Sequence, residues 1–271
     1  MLDLPSSCGV TTHVYPLLGL LFLIAVASLS CYLAKVNMGA SQCQFESGRW
    51  RIEPMSCCSH CVDAESLFTQ RIAQRDLLRY RKYGPRFSTR LLLRVIGPPG
   101  THAKTLLDIG GGIGAIPHEL LASGLTSAVL VEASVAYLHV AEEEANRRGH
   151  RKRLICHHGD FVELASELAP ADIVTLDRVI CCYPDMETLV DASIAKAKHV
   201  YALVYPRERW ITKIGAGLVN VFLRLRGGAF RTYIHSSKAV DAVIRRHGFR
   251  RSFYERTVLW QVVTYVRSDA P

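Results

Sequence analysis

Asp108 opens the stretch Asp108-Ile109-Gly110-Gly111-Gly112-Ile113-Gly114, in which Gly110, Gly112 and Gly114 alternate with other residues. A glycine-rich turn behind a strand lets backbone approach a ligand closely and delivers it to a helix N-terminus. By itself this turn also fits nicotinamide and flavin sites. Asp108 narrows the choice, because it stands where a dinucleotide fold keeps an apolar strand residue, and a carboxylate there suits a ligand with an amino-acid moiety. Spacing is less selective: a strict G-x-G-x-x-G counted from Gly110 needs glycine where the chain has Ala115, but a looser dinucleotide pattern accepts alanine. Glu132 ends the next apolar run, 18 residues after Gly114. A carboxylate at that point can accept both ribose hydroxyls of an adenosine. Asp160-Phe161 follows a third run, and Asp177-Arg178-Val179-Ile180-Cys181-Cys182-Tyr183-Pro184 closes a fourth. The carboxyl ends of strands near a switch point are where open α/β sheets bind ligands, so Asp177, Arg178 and Tyr183 are candidates to act on a substrate. Buried thiols are mostly small apolar fillers, which is the reading for Cys181 and Cys182.

These residues need strands and helices to hold them, and the chain supplies both in alternation. Short apolar runs (TLLDI, AVLVEA, RLICHHGD, DIVTLDRVI, HVYALVYP) are separated by amphipathic stretches, the fourth of which is expected to reach Ala197. A helix is expected from Ser237 to His247, and then RSFYERTV and WQVVTYVR follow with no helix between them and Leu259 near a tight connection. Alternation predicts a Rossmann-like, doubly wound seven-stranded α/β sheet, and the last two runs predict a C-terminal antiparallel hairpin. Upstream, Ala64 to Tyr83 has apolar residues at helical spacing and stops at Gly84-Pro85; Phe87 to Val95 reads as a second short helix before the Gly97-Pro98-Pro99-Gly100 breaker. The organisation expected is 1–54 as a leader segment, 55–100 as a helical extension and 101–271 as the α/β domain.

With Asp108 included, the loop resembles the D-x-G-x-G-x-G signature of class I S-adenosylmethionine-dependent methyltransferases. The resemblance implies that S-adenosyl-L-methionine is the cofactor, that the loop cradles its methionine portion, and that Asp160 accepts from the adenine amino group while Phe161 contacts the ring. It places the segment after the fourth strand beside the reacting methyl group. Two further stretches are similar to magnesium-protoporphyrin O-methyltransferases: the helix RDLLRYRKYGP, and Arg231-Thr232-Tyr233-Ile234-His235 followed by a helix and Gly248-Phe249. The tail VLWQVVTYVR departs from that family's more aromatic strand and longer ending. A carboxylate acceptor would need no strong base; a phenol would ask Tyr205 or His235 to act as one.

The net charge of +9 favours anionic partners, either small acids, nucleic acid or an acidic membrane surface. No N-P-P-Y-type tetrapeptide follows the fourth strand, so a small-molecule acceptor is preferred and a nucleic-acid-modifying or nucleic-acid-binding role is the alternative. Arg178, Arg207, Arg209, Arg224, Arg226 and Arg231 interleave with Val219, Phe222, Leu223 and Leu225 near the loops assigned to the carboxyl edge. That mixture suits an amphipathic acid gripped by guanidinium forks, and also an anionic membrane surface. The run Arg71, Arg75, Arg79, Arg81, Lys82, Arg86, Arg90 and Arg94 reads first as a solvated helix face and second as a basic lid.

Leu17 to Ala34 is an uncharged apolar run of 18 residues, short for a membrane span, followed by Lys35, Arg49 and Arg51. It reads either as an N-terminal anchor that leaves the catalytic domain cytoplasmic, or as a leader translated from a start codon placed too far upstream of Met55. The chain has nine cysteines in no spaced framework, which suits a reducing compartment. Cys57, Cys58, His60 and Cys61 are too crowded for the usual structural zinc spacing, with only a weak partner in His157-His158, and no metal is expected.

Overall fold

The structure, a computed structural model, describes residues 43–46, 49–52, 67–97 and 103–268. The chain divides into two units, 1–55 and 56–271. In the first, β1 (Cys43–Glu46) and β2 (Arg49–Ile52) form an antiparallel hairpin with Cys43 opposite Ile52. The 17–34 run and the Cys57–Cys61 cluster lie outside the described residues. Among the described residues, no helix is long and apolar enough to cross a membrane, and no group of His, Cys, Asp or Glu is placed to hold a metal.

The second unit is built on a sheet of seven strands in the order β5-β4-β3-β6-β7-β9-β8. The strands are β3 (Thr105–Ile109), β4 (Ser127–Glu132), β5 (Leu154–His158), β6 (Ala171–Asp177), β7 (Ala197–Pro206), β8 (Phe249–Arg256) and β9 (Trp260–Arg267). The first five are parallel, while β9 runs antiparallel to both β7 and β8. This is the seven-stranded Rossmann-like sheet with a closing hairpin that alternation predicts.

Strand alternation sorts the core into two layers. Leu106, Ile173, Ala202 and Val262 face α2 (Phe87–Ile96), α3 (Ala115–Ala122) and α4 (Val135–Arg148). Their neighbours Leu107, Val174, Leu203 and Val263 face α5 (Phe161–Leu164), α6 (Met186–Ile194) and α8 (Ser237–Arg246). Near-continuous apolar runs are what strands buried on both faces require. Outside these layers, α1 (Gln70–Tyr83) buries Ala73, Leu77 and Tyr80 against Tyr137 and Val140 of α4.

Two boundaries differ from the sequence expectation. The helix expected to reach Ala197 stops at Ile194, and Ala197 already begins β7, because the Lys196 N–H bonds back to Ser193 O and closes the turn. The run DIVTLDRVI is extended only to Asp177; Arg178 adopts a positive φ of 66° and Ile180–Cys182 turns as a 3-10 helix. The segment after β7, read only as an apolar and basic insertion, contains a helix, α7 (Trp210–Leu225).

Candidate functional site

The chain runs outward from β3 to β4 and β5, then returns to place β6 on the other side of β3. That reversal opens a crevice at the carboxyl ends of β3 and β6, the position where such sheets take ligands. A cavity of about 300 Å³ lies there, lined by Asp108, Gly110, Gly111, Gly112, Glu132, Asp160, Phe161, Asp177, Arg178 and Tyr183 among others. Nine of the residues singled out from sequence spacing therefore meet in one place, though they come from four strands and the turns behind them.

Asp108 is fully buried at the end of β3. The Thr175 hydroxyl donates to its Oδ1 at 2.5 Å, while Oδ2 is buried with no hydrogen-bond partner. Burial, with help from the Asp177 and Glu132 charges, pushes the Asp108 pKa up to about 8 against the lowering effect of Thr175. A buried carboxylate oxygen without a donor is costly and calls for a ligand that donates. An α-ammonium group satisfies that demand and would return Asp108 to its charged form. The glycine turn leaves room for it: Gly110, Gly112 and Gly114 all adopt φ between 58° and 73°, a region favouring glycine. Gly114 is itself the N-cap of α3 and packs beside His118 rather than lining the cavity.

Glu132 helps to fix this turn. Its Oε2 accepts from Gly112 N at 2.8 Å and its Oε1 from Ser134 N at 3.0 Å. Two backbone donors from separate loops thus hold the carboxylate in the cavity lining. Asp160 caps α5 by accepting from Val162 N, and the Tyr183 hydroxyl donates to its Oδ2 at 3.0 Å. Phe161 is buried beneath. A buried, unpartnered carboxylate oxygen beside a glycine turn fits a ligand that carries an ammonium group, as the cofactor S-adenosyl-L-methionine does.

At the end of β6, Asp177 is already engaged. Arg178 Nε donates to its Oδ1 at 2.9 Å and the Thr89 hydroxyl donates to its Oδ2. Burial disfavours the Arg178 charge, but the Asp177 carboxylate outweighs it and raises the Arg178 pKa. Cys182 also lines the cavity; its hydrogen bond with Cys181, together with burial, pushes its pKa well above the ordinary thiol range, so it is held as a thiol.

Tyr205 and His235 stand elsewhere. Tyr205 is 2% exposed, packed in the core layer beneath α8, with its pKa pushed up to about 12 by burial. His235 Nε2 lies 2.9 Å from Tyr183 O and stacks on Tyr233, outside the cavity lining. Of the six arginines assigned to the carboxyl edge, only Arg178 lines the cavity. Arg231 donates to Gly228 O and Phe230 O, Arg207 donates to Thr257 O, and Arg226 lies over the Phe222 ring.

The opposite wall comes from α1 and its exit: Phe68, Asp76, Arg79, Tyr80, Pro85, Arg86 and Thr89, with Phe230. Arg79 Nε is buried without an acceptor, and burial followed by the neighbouring Arg86 charge lowers the Arg79 pKa. Thr175, Thr89 and the Arg79–Arg86 pair were not singled out from sequence. A hydroxyl inside the apolar run of β6 was the one signal for Thr175; nothing local distinguished Arg79 from its neighbours in the basic run.

A family model described as a methyltransferase domain matches residues 107–194, which include the glycine turn, Glu132, Asp160 and Asp177. Among solved structures, magnesium protoporphyrin IX methyltransferase from Synechocystis PCC 6803 with bound SAH aligns at 16% identity and a TM-score of 0.58, over 78% of this chain and 100% of that one. The same protein with bound SAM aligns at 14% identity and a TM-score of 0.57, over 79% and 100%. An O-methyltransferase family 2 protein from Planctomyces limnophilus DSM 3776 in complex with apigenin aligns at 20% identity and a TM-score of 0.54, over 72% and 61%. No curated protein sequence matches the chain.

Proposed function

We propose that this chain, a class I S-adenosylmethionine-dependent methyltransferase, transfers the methyl group to a carboxylate oxygen of a small amphipathic acid. The observation that carries the reading is Arg79, which lines the cavity and whose buried Nε has no acceptor among the described residues. Arg86 stands on the same wall, and its own ion pair to Asp76 is a long 3.3 Å. Two guanidinium groups beside apolar Phe68 and Phe230 suit a ligand with an apolar body and an acidic end.

The bound cofactor supplies an electrophilic methyl on a sulfonium. The protein's part is positioning: the glycine turn, Glu132 and Asp160 orient the cofactor, while Arg79 and Arg86 hold the acid across the cavity. Holding both reactants in line contributes much of the rate in such a displacement. An ionised carboxylate needs no proton removed, so no base is asked of the lining, where Asp177 is already engaged by Arg178. Tyr205 and His235, the bases a phenol acceptor would ask for, lie outside the lining. The fold likeness to a magnesium protoporphyrin IX methyltransferase is compatible with this acceptor class.

The test uses methyl-labelled cofactor and a panel of amphipathic carboxylic acids beside their amides. Label should enter the acids, not the amides, and be released as methanol by alkali, as an ester requires. Arg79→Ala should raise the acceptor KM by roughly 10-fold or more, the worth of a charge-assisted hydrogen bond, with S-adenosylhomocysteine affinity unchanged. Alkali-stable label, or an unchanged KM in both Arg79→Ala and Arg86→Ala, overturns the carboxylate reading.

A further inference from the structure

Helix α7 carries an apolar face that nothing among the described residues covers. Trp210, Ile214, Leu218, Val221 and Leu225 recur every three or four residues and are each more than half exposed, from 54% to 81%. Residues at that spacing share one side of a helix. Only Leu223 of α7 is buried, and the helix is further tied down by Asn220, which exchanges two hydrogen bonds with the Thr232 backbone. The apolar face therefore points away from the body of the domain.

The rim of that face is basic. Arg209, Arg224 and Arg226 are exposed along it, Lys213 is paired with Glu208 just before the helix, and the helix from Trp210 to Leu225 contains no Asp or Glu. We propose that α7 is an interfacial helix that lays the domain on an anionic lipid bilayer, with the stripe in the acyl boundary and the basic rim among the headgroups. A lipid surface offers hydrocarbon and negative charge side by side, which is what this face presents in complement. Long basic side chains keep their charges at the headgroup level while their stems cover apolar surface. A second copy of the chain is a poorer partner, because stripe-to-stripe pairing sets the arginines of two rims together, with only Glu208, already paired with Lys213, beside each helix.

The position gives docking a consequence. β7 is parallel to β6, so α7, which follows β7, leaves the sheet on the edge where the cavity lies. The chain then passes from α7 to Phe230, which lines the cavity, and to Tyr233, whose N–H donates to Cys181 O. Binding through α7 holds the cavity edge near the membrane surface, where an amphipathic acceptor would partition. The docking itself does not depend on which acceptor is methylated.

Full-length protein is sedimented with vesicles of phosphatidylcholine alone and of phosphatidylcholine with about 30 mol % phosphatidylserine, a content that gives a strongly negative surface. The double substitution Leu218→Glu and Val221→Glu places charge on the exposed stripe, and unchanged S-adenosylhomocysteine binding shows that the domain remains folded. Expected are binding to the phosphatidylserine vesicles, weakening with added salt, and a loss of roughly 10-fold or more in the double variant. A blue shift of tryptophan emission on vesicle binding should vanish in Trp210→Phe. The proposal is overturned if wild type ignores the anionic vesicles, or if it binds them equally with and without the stripe substitutions, as it would through another segment. Stripe-dependent self-association or stripe-dependent capture of a protein without vesicle binding also overturns it.

Discussion

Gly111 sits directly over the Asp108 carboxylate: a Cβ built on that glycine would lie 2.1 Å from Asp108 Oδ2 and 2.4 Å from Leu130 Cδ1. The acid and the glycine three residues later form one unit, since the turn can fold back on the strand end only where no side chain intervenes. Gly111→Ala should displace either the turn or Asp108. The expected result is a loss of S-adenosylhomocysteine affinity of roughly 100-fold or more by calorimetry, since both ammonium and backbone contacts move. Affinity within threefold or so of wild type would show that the close approach is not needed.

Asp108 should also impose a pH dependence. Its pKa of about 8 in the folded protein lies above the ordinary carboxyl value of 3.8. Between those values the native state holds a proton that the unfolded chain has released. The contribution to stability is thus fully present below about pH 4, falls as pH rises and is lost above about pH 8. Asp108→Asn should therefore be more stable than wild type at about pH 9, by about 1–3 kcal/mol, while binding the cofactor product far more weakly. Wild-type affinity should rise toward pH 8 and then level, with a proton released on binding near neutrality. Calorimetry in buffers of different ionisation enthalpy reads that proton directly; no release would contradict the assignment of Asp108 to the ammonium.

Tyr183 and Tyr205 should behave differently when each loses its hydroxyl. Tyr183 donates to Asp160, so Tyr183→Phe should weaken cofactor binding by roughly fivefold, one hydrogen bond's worth. Tyr205 is buried beneath α8, so Tyr205→Phe should lower thermal stability while changing turnover less than about twofold. A large kcat loss in Tyr205→Phe with normal stability would restore it as a candidate base.

Glu144 joins α1 to α4. It is fully buried and accepts from Arg81 of α1 and from Arg147 and Arg148 of its own helix. Burial alone would raise its pKa, but the three guanidinium groups hold it well below the ordinary range. The stability it contributes is present above about pH 4.5 and is lost as pH falls through the depressed value. Glu144→Ala should cost about 1–3 kcal/mol, because it removes the charge-assisted hydrogen bonds of a buried carboxylate to partly exposed arginines. Urea denaturation at neutral and acid pH checks this: the variant should lose the acid-side slope along with the stability.

Much of the site was legible before any contact was known. Asp108, the three glycines, Glu132 and Asp160 all lie at or just after the ends of β3, β4 and β5, and a strand end followed by a turn is a local pattern. Parallel pairing then brings those ends to one edge without further instruction. The closing hairpin was equally local, because β8 and β9 have no room for a helix between them. What the sequence could not decide was direction. Arg79 faces the cavity because α1 is rotated by the packing of Ala73, Leu77 and Tyr80 on Tyr137 and Val140, contacts more than 50 residues away in the chain. Tyr205 faces the α8 layer because its strand is held between β6 and β9, and side chains alternate across a sheet. Asp177 is occupied because α2 brings Thr89 to it from across the fold. Spacing along the chain sets where backbone turns and strand ends occur; which face of an element meets the ligand is set by long-range burial, which no local pattern encodes.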